Sequence, residues 1–145
     1  MRIVVDTHVL VAGLLSPFGA CAEIVRMISS GELTLFLDAR NLSEYNEVLC
    51  RPKFRFDIDR VVALLEHIEH RGQIMSASPL SRPLPDPADE PFFEIAVAGR
   101  AVCLVTGNRA HFPSKLCQGV PVSSPGDFLR FYRKRQKRKA DKELF

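Results

Sequence analysis

Ile3-Val4-Val5-Asp6-Thr7 decides how the rest of the chain is read: it is a short apolar run that stops on a carboxylate. Consecutive aliphatic residues without polar alternation describe a strand buried on both faces, here residues 2–5. Such a strand has little packing use for an acid at its end, so Asp6 is expected to serve function. Working outward, Ala20–Ser30 places Ile24, Met27 and Ile28 on one helical face, with Gly31 as its stop. Leu33–Leu37 is a second strand. A helix follows from Asp38, with Leu42, Tyr45, Val48 and Leu49 turned inward and Pro52 ending it. Asp57 or Asp59 opens another helix, whose apolar face is expected to be Ile58, Val61, Val62, Leu65 and Ile68, closed by Gly72.

Gln73–Ala77 reads as extended, Ser78–Asp89 as a Ser/Pro-rich loop, Pro91–Ala98 as a helix and Ala101–Val105 as a strand. Val120–Val122 fits an edge strand, since it contains Pro121. Ser124-Pro125-Gly126-Asp127 has the form of a capped helix start with proline at the first helical position. Strands alternating with helices predict an α/β domain with a mostly parallel central sheet between helical layers.

Two more acids stand where elements begin: Glu44 in Leu42-Ser43-Glu44-Tyr45, beside the buried face of its helix, and Asp89 in Asp86-Pro87-Ala88-Asp89-Glu90. In open α/β sheets ligands bind beyond the carboxyl ends of the strands. Acids distant in sequence therefore meet there, and carboxylates without basic partners call for a hard divalent cation with oxygen ligands, Mg²⁺ or Mn²⁺. For Glu44 a solvated helix position competes with this role, and for Asp89 the competitor is helix capping. Val105-Thr106-Gly107-Asn108 ends a buried strand on small and polar groups, where the Thr-Gly turn brings backbone close to an occupant of the crevice. Thr7, Thr106 and Asn108 are candidate contacts to substrate.

Other chemistries lack their residues. Position 8 is His8, which removes the Asp-x-Asp of phosphatases that begin on a similar strand, and there is no glycine-rich phosphate loop. His67, Glu69 and His70 stand one residue short of the inverted zincin spacing and read as a solvated helix face. Arg51-Pro52-Lys53-Phe54-Arg55 mixes basic and aromatic groups that either touch nucleic acid or cover the core.

With 145 residues the chain suits one domain, and 46% hydrophobic residues exclude a disordered one. No apolar run is long enough for a membrane helix and no signal-peptide pattern opens the chain. Four cysteines without a CxxC pair read as reduced thiols of a cytoplasmic protein, with Cys21, Cys50 and Cys103 as small core residues. Charge is unevenly distributed. Residues 1–127 carry 12 basic and 15 acidic side chains, and residues 128–145 carry 8 and 2. The basic end, Arg130 through Lys142, suits a polyanion or an acidic protein, or simply keeps a helix end soluble.

Taken in order, Val5-Asp6-Thr7-His8-Val9-Leu10, the stretch Glu44–Phe54, the stretch Asp86–Phe93, Val105–Asn108 and the closing Ser124–Leu129 resemble the PIN domain, in particular the branch of toxin–antitoxin toxins. The resemblance implies a Rossmann-like three-layer α/β/α PIN domain over residues 1–129, followed by a basic helical tail at 130–145. It implies a metal-dependent endoribonuclease in which Asp6, Glu44 and Asp89 bind Mg²⁺ or Mn²⁺ and act in catalysis. It also implies RNA as substrate, a cognate antitoxin as partner and a homodimer. Two positions depart from the family pattern: His8 stands where Asn is usual, and Asn108 stands where a fourth acid often follows Thr-Gly, although Asn108–Pro113 is similar to a variant form. Fewer charges hold fewer ions, which keeps open a catalytically weak module that binds RNA or a protein.

Overall fold

The computed structural model describes residues 1–144. Five strands, β1 (Arg2–Val5), β2 (Thr34–Leu37), β3 (Gln73–Ile74), β4 (Leu104–Val105) and β5 (Val122–Ser123), form one sheet in the order β3-β2-β1-β4-β5. Every neighbouring pair is parallel, the edge strand β5 included. Six helices flank it in a three-layer α/β/α arrangement: α1 (Thr7–Leu15), α2 (Ala20–Ser30), α3 (Ala39–Leu49), α4 (Ile58–Arg71), α5 (Glu90–Gly99) and α6 (Pro125–Leu144). Ile3, Val4 and Val5 of the central strand are completely buried, as a strand covered on both faces requires.

Local chemistry sets the ends of these elements. Asp6 caps α1 by accepting from the Val9 amide at 3.1 Å. Asp38 accepts from the amides of Arg40 and Asn41 while the Asn41 amide oxygen accepts from the Asp38 N–H, which closes a capping box on α3. Gly31 stops α2 with φ +86, a conformation L side chains rarely adopt. Ser124 Oγ accepts from the Asp127 amide and starts α6.

Some sequence expectations shift. The apolar stretch Thr7–Leu15 is a helix, α1, for which no periodicity gave a sign. The buried face of α4 is Val61, Leu64, Leu65 and Ile68, while Ile58 and Val62 are exposed. Of the cysteines expected in the core, Cys103 is buried, Cys21 is half-buried and Cys50 is exposed, whereas Cys117 is buried. No single helix among the described residues is long and apolar enough to cross a membrane. The 129/130 boundary falls inside α6, which docks through Phe128 and Leu129 and continues unbroken.

Candidate functional site

Register brings the first two groups together. Val5 pairs with Val105, so Asp6 and Thr106 leave the sheet side by side at the carboxyl ends of β1 and β4. Thr106, expected at the substrate, is instead completely buried and donates its hydroxyl to Asp6 Oδ2. The same hydroxyl accepts from the Asn108 amide at 3.1 Å. With the Val9 amide on Oδ1, both oxygens of Asp6 are engaged from within the protein. Burial raises the Asp6 pKa, and the bonds from Thr106 and Val9 oppose that rise.

Glu44 reaches the same place from α3. Its neighbour Tyr45 is completely buried and donates to the Val5 carbonyl at 2.6 Å, pinning α3 against β1. Burial first, and then the charges of Asp6 and Glu44, keep that phenol protonated and therefore a donor. One residue back, half-buried Glu44 accepts from the Thr7 hydroxyl through Oε2. Glu44 is thus held beside the sheet end and is not a freely solvated helix position.

Asp89 arrives on the turn ahead of α5. It makes no capping bond; Asp86 caps that turn by accepting from Ala88 N at 2.9 Å. Asp89 Oδ2 is shut off from solvent and has no directed hydrogen bond, although His111 Nδ1 lies 2.9 Å away. Burial raises the Asp89 pKa, the His111 charge lowers it, and Asp86 and then Asp6 raise it again. The Asn108 amide nitrogen lies 2.8 Å from His111 Nε2, so the ring spans Asn108 and Asp89.

A cleft of about 280 Å³ collects these groups: Asp6, Thr7, Glu44, Asp89 and Asn108 line it, together with Asp86, His111, Arg51, Lys53 and Phe54. The tightest ligand set within it is Asp86, Asp89 and His111, whose donor atoms all lie within 4.8 Å of one another. Neither Asp86, which the sequence left open between function and capping, nor His111 was among the expected ligands. The only available signal was that His111 closes the Asn-x-x-His run; its pairing with Asp89 is a tertiary contact. The expectation that the acids lack basic partners is corrected by His111, 2.9 Å from Asp89; Arg51 and Lys53 also line the cleft, but the Arg51 guanidinium is held by Glu47. Gly107 meets nothing within 4 Å of where a Cβ would lie, so no packing inside the protein demands glycine there.

Two carboxylates and an imidazole whose donor atoms converge within 4.8 Å are chemically suited to a divalent cation. The residues present fit one. A family model described as PIN domain matches residues 2–110, and proteins of that kind are generally metal-dependent nucleases. No curated protein and no solved structure matches the chain significantly.

Proposed function

The chain belongs to the PIN domain family, and on that premise we propose that it is a metal-dependent endoribonuclease, the toxin component of a toxin–antitoxin pair. The observation that carries the enzymatic reading is the convergence of Asp6, Glu44, Asp86, Asp89 and His111 in one cleft at the carboxyl ends of the central strands. Asp6, Glu44 and Asp89, with Asp86 and His111 beside them, would hold Mg²⁺ or Mn²⁺, which would supply a water of lowered pKa and offset charge developing on the phosphate.

The chain's own residues prepare that chemistry. Thr106 and Thr7 fix the orientation of Asp6 and Glu44 by donating to one oxygen of each. Lys53 lines the same cleft and would meet the phosphates of an entering strand, while Arg51 beside it is paired with Glu47. Asn108 offers an amide to a water or a phosphate oxygen. The toxin role, the antitoxin, a homodimer and a cytoplasmic location rest on the likeness of the motifs to the toxin branch.

The test is cleavage of a labelled RNA with Mn²⁺ and with EDTA, comparing wild type with Asp6→Asn and Asp89→Asn. Each substitution lowers the rate by at least the roughly 10–100-fold that loss of a group supporting a metal ligand costs, with the fold retained. Cleavage that persists in EDTA sinks the reading. A second reading, a catalytically weak module that binds RNA or a protein, is favoured by Asn108 standing where a carboxylate often stands and by the His111–Asp89 contact. It predicts RNA binding with no cleavage that depends on Asp6.

A further inference from the structure

The cleft accounts for one end of the molecule and leaves α6 unexplained, because the helix lies outside the residues matched by the family. Its direction is set by three contacts. Asp127 in its first turn pairs with Arg109, just past the carboxyl end of β4. Tyr132 donates to Glu32 at 3.3 Å, two residues ahead of the amino end of β2. Arg133 pairs with Glu23 of α2 at 2.6 Å. The helix therefore runs from the cleft end of the sheet down to the opposite end.

Past Arg133 it leaves the body. Residues 134–144 are all exposed, and none of these described residues makes a side-chain hydrogen bond or ion pair to the rest of the protein. At 1.5 Å per residue the free stretch is roughly 16 Å long. It holds six cations, Lys134, Arg135, Lys137, Arg138, Lys139 and Lys142, against two acids, Asp141 and Glu143. Stepping 100° per residue, Lys134, Arg135, Arg138, Lys139 and Lys142 share one side of the helix within an arc of about 140°.

The chemistry of this stretch selects its ligand. A protein partner that takes the helix into a groove needs an apolar stripe to bury. The row that continues from Tyr132 is Gln136, Ala140 and Leu144, too little for that. A polyphosphate needs only a row of cations. We infer that residues 134–144 of α6 are an arm that holds single-stranded RNA by its phosphates, at the pole opposite the cleft. The inference rests on the nuclease reading for the identity of the polyanion alone. The arm gives affinity to chains long enough to reach both poles, without reading their sequence.

The experiment uses the full-length protein carrying Lys134→Gln, Arg135→Gln, Arg138→Gln, Lys139→Gln and Lys142→Gln. Binding of a labelled unstructured RNA is titrated in EDTA across a series of salt concentrations, so that no cleavage enters the measurement. The variant binds roughly tenfold or more weakly at low salt, and its log–log salt slope flattens by about 0.7 for each lost phosphate contact. A melting curve matching wild type shows that the fold is intact. In Mn²⁺ a tetranucleotide, too short to reach both poles, is cut equally by variant and wild type, while a long RNA is cut with a raised KM by the variant. Unchanged affinity and slope overturn the arm. So does polyglutamate competing as well as RNA at equal charge, which assigns the surface to an acidic protein. Wild type that binds RNA through these residues but cuts neither substrate keeps the arm and removes the nuclease.

Discussion

Burial raises the carboxyl pKa of both Asp6 and Asp89. A folded-state value above the unfolded one means that the native protein holds these protons more tightly. The stabilisation this gives is complete below the unfolded pKa and is lost as pH rises through the folded value. In EDTA, lowering the pH from neutrality through the raised values should therefore recover stability before general acid unfolding begins. Asp6→Asn removes one of the two groups, so it should raise the melting temperature of the metal-free protein at pH 7 and flatten this dependence. A fluorescence-detected melt across pH measures both; a wild type that loses stability monotonically as the pH falls contradicts the assignment. Asn108 poses the complementary question. Replacing it with Asp adds a charge beside His111 in the same cleft and should tighten Mn²⁺ binding, read by calorimetry as roughly a tenfold gain, the lower range for groups bordering a metal. Unaltered binding would put Asn108 outside the ligand set.

At the scale of elements, α3 is the piece whose placement matters most, because it delivers Glu44. Tyr45→Phe leaves the buried Val5 carbonyl without its donor, which costs about 1–3 kcal/mol, measured by urea unfolding. A second effect is expected on Mn²⁺ affinity, since α3 loses its pin to β1. A destabilisation indistinguishable from zero would mean that packing alone seats the helix. The elements also differ in how visible they were. α2 declared itself through an apolar face and a glycine stop, and α3 through its cap and the periodic Leu42, Tyr45, Val48 and Leu49. α1 was hidden because Thr-His-Val-Leu-Val-Ala-Gly-Leu-Leu is apolar almost throughout: its exposed row, His8, Ala12 and Leu15, is mostly apolar too, so the sequence shows no period. The face of α4 was misjudged because Ile58 and Val62 are apolar yet exposed, and sequence alone does not say which side of an aliphatic row meets the sheet.

At the scale of the whole molecule, acids at the ends of elements were readable because a parallel sheet sends all its carboxyl ends to one place. The engagement of their oxygens was not. Thr106 with Asp6, Thr7 with Glu44 and His111 with Asp89 join residues far apart in the chain, and nothing local to either partner marks the bond. The same held for Arg51 and Lys53, whose position on the cleft wall depends on how α3 ends. The charge asymmetry was legible as composition. That the charged end points away from the cleft required the contacts of Asp127 and Tyr132.

The central position of β1 also orders events in time. β2 and β3 pair on one side of it and follow soon in the chain, whereas β4, its other neighbour, begins only at Leu104. A nascent chain that has emerged from the ribosome as far as Ala77 already carries Asp6 and Glu44, but Asp86, Asp89, Thr106 and His111 are still to come. The acidic cleft therefore cannot assemble while the first half of the protein is being translated. The two portions should also behave as complementary fragments. Separately produced 1–78 and 79–145, cut in the exposed Ser/Pro-rich loop, are expected to recover native circular dichroism on mixing and to stay inactive apart. A first fragment that binds Mn²⁺ as tightly as the intact protein would show that the second wall is dispensable.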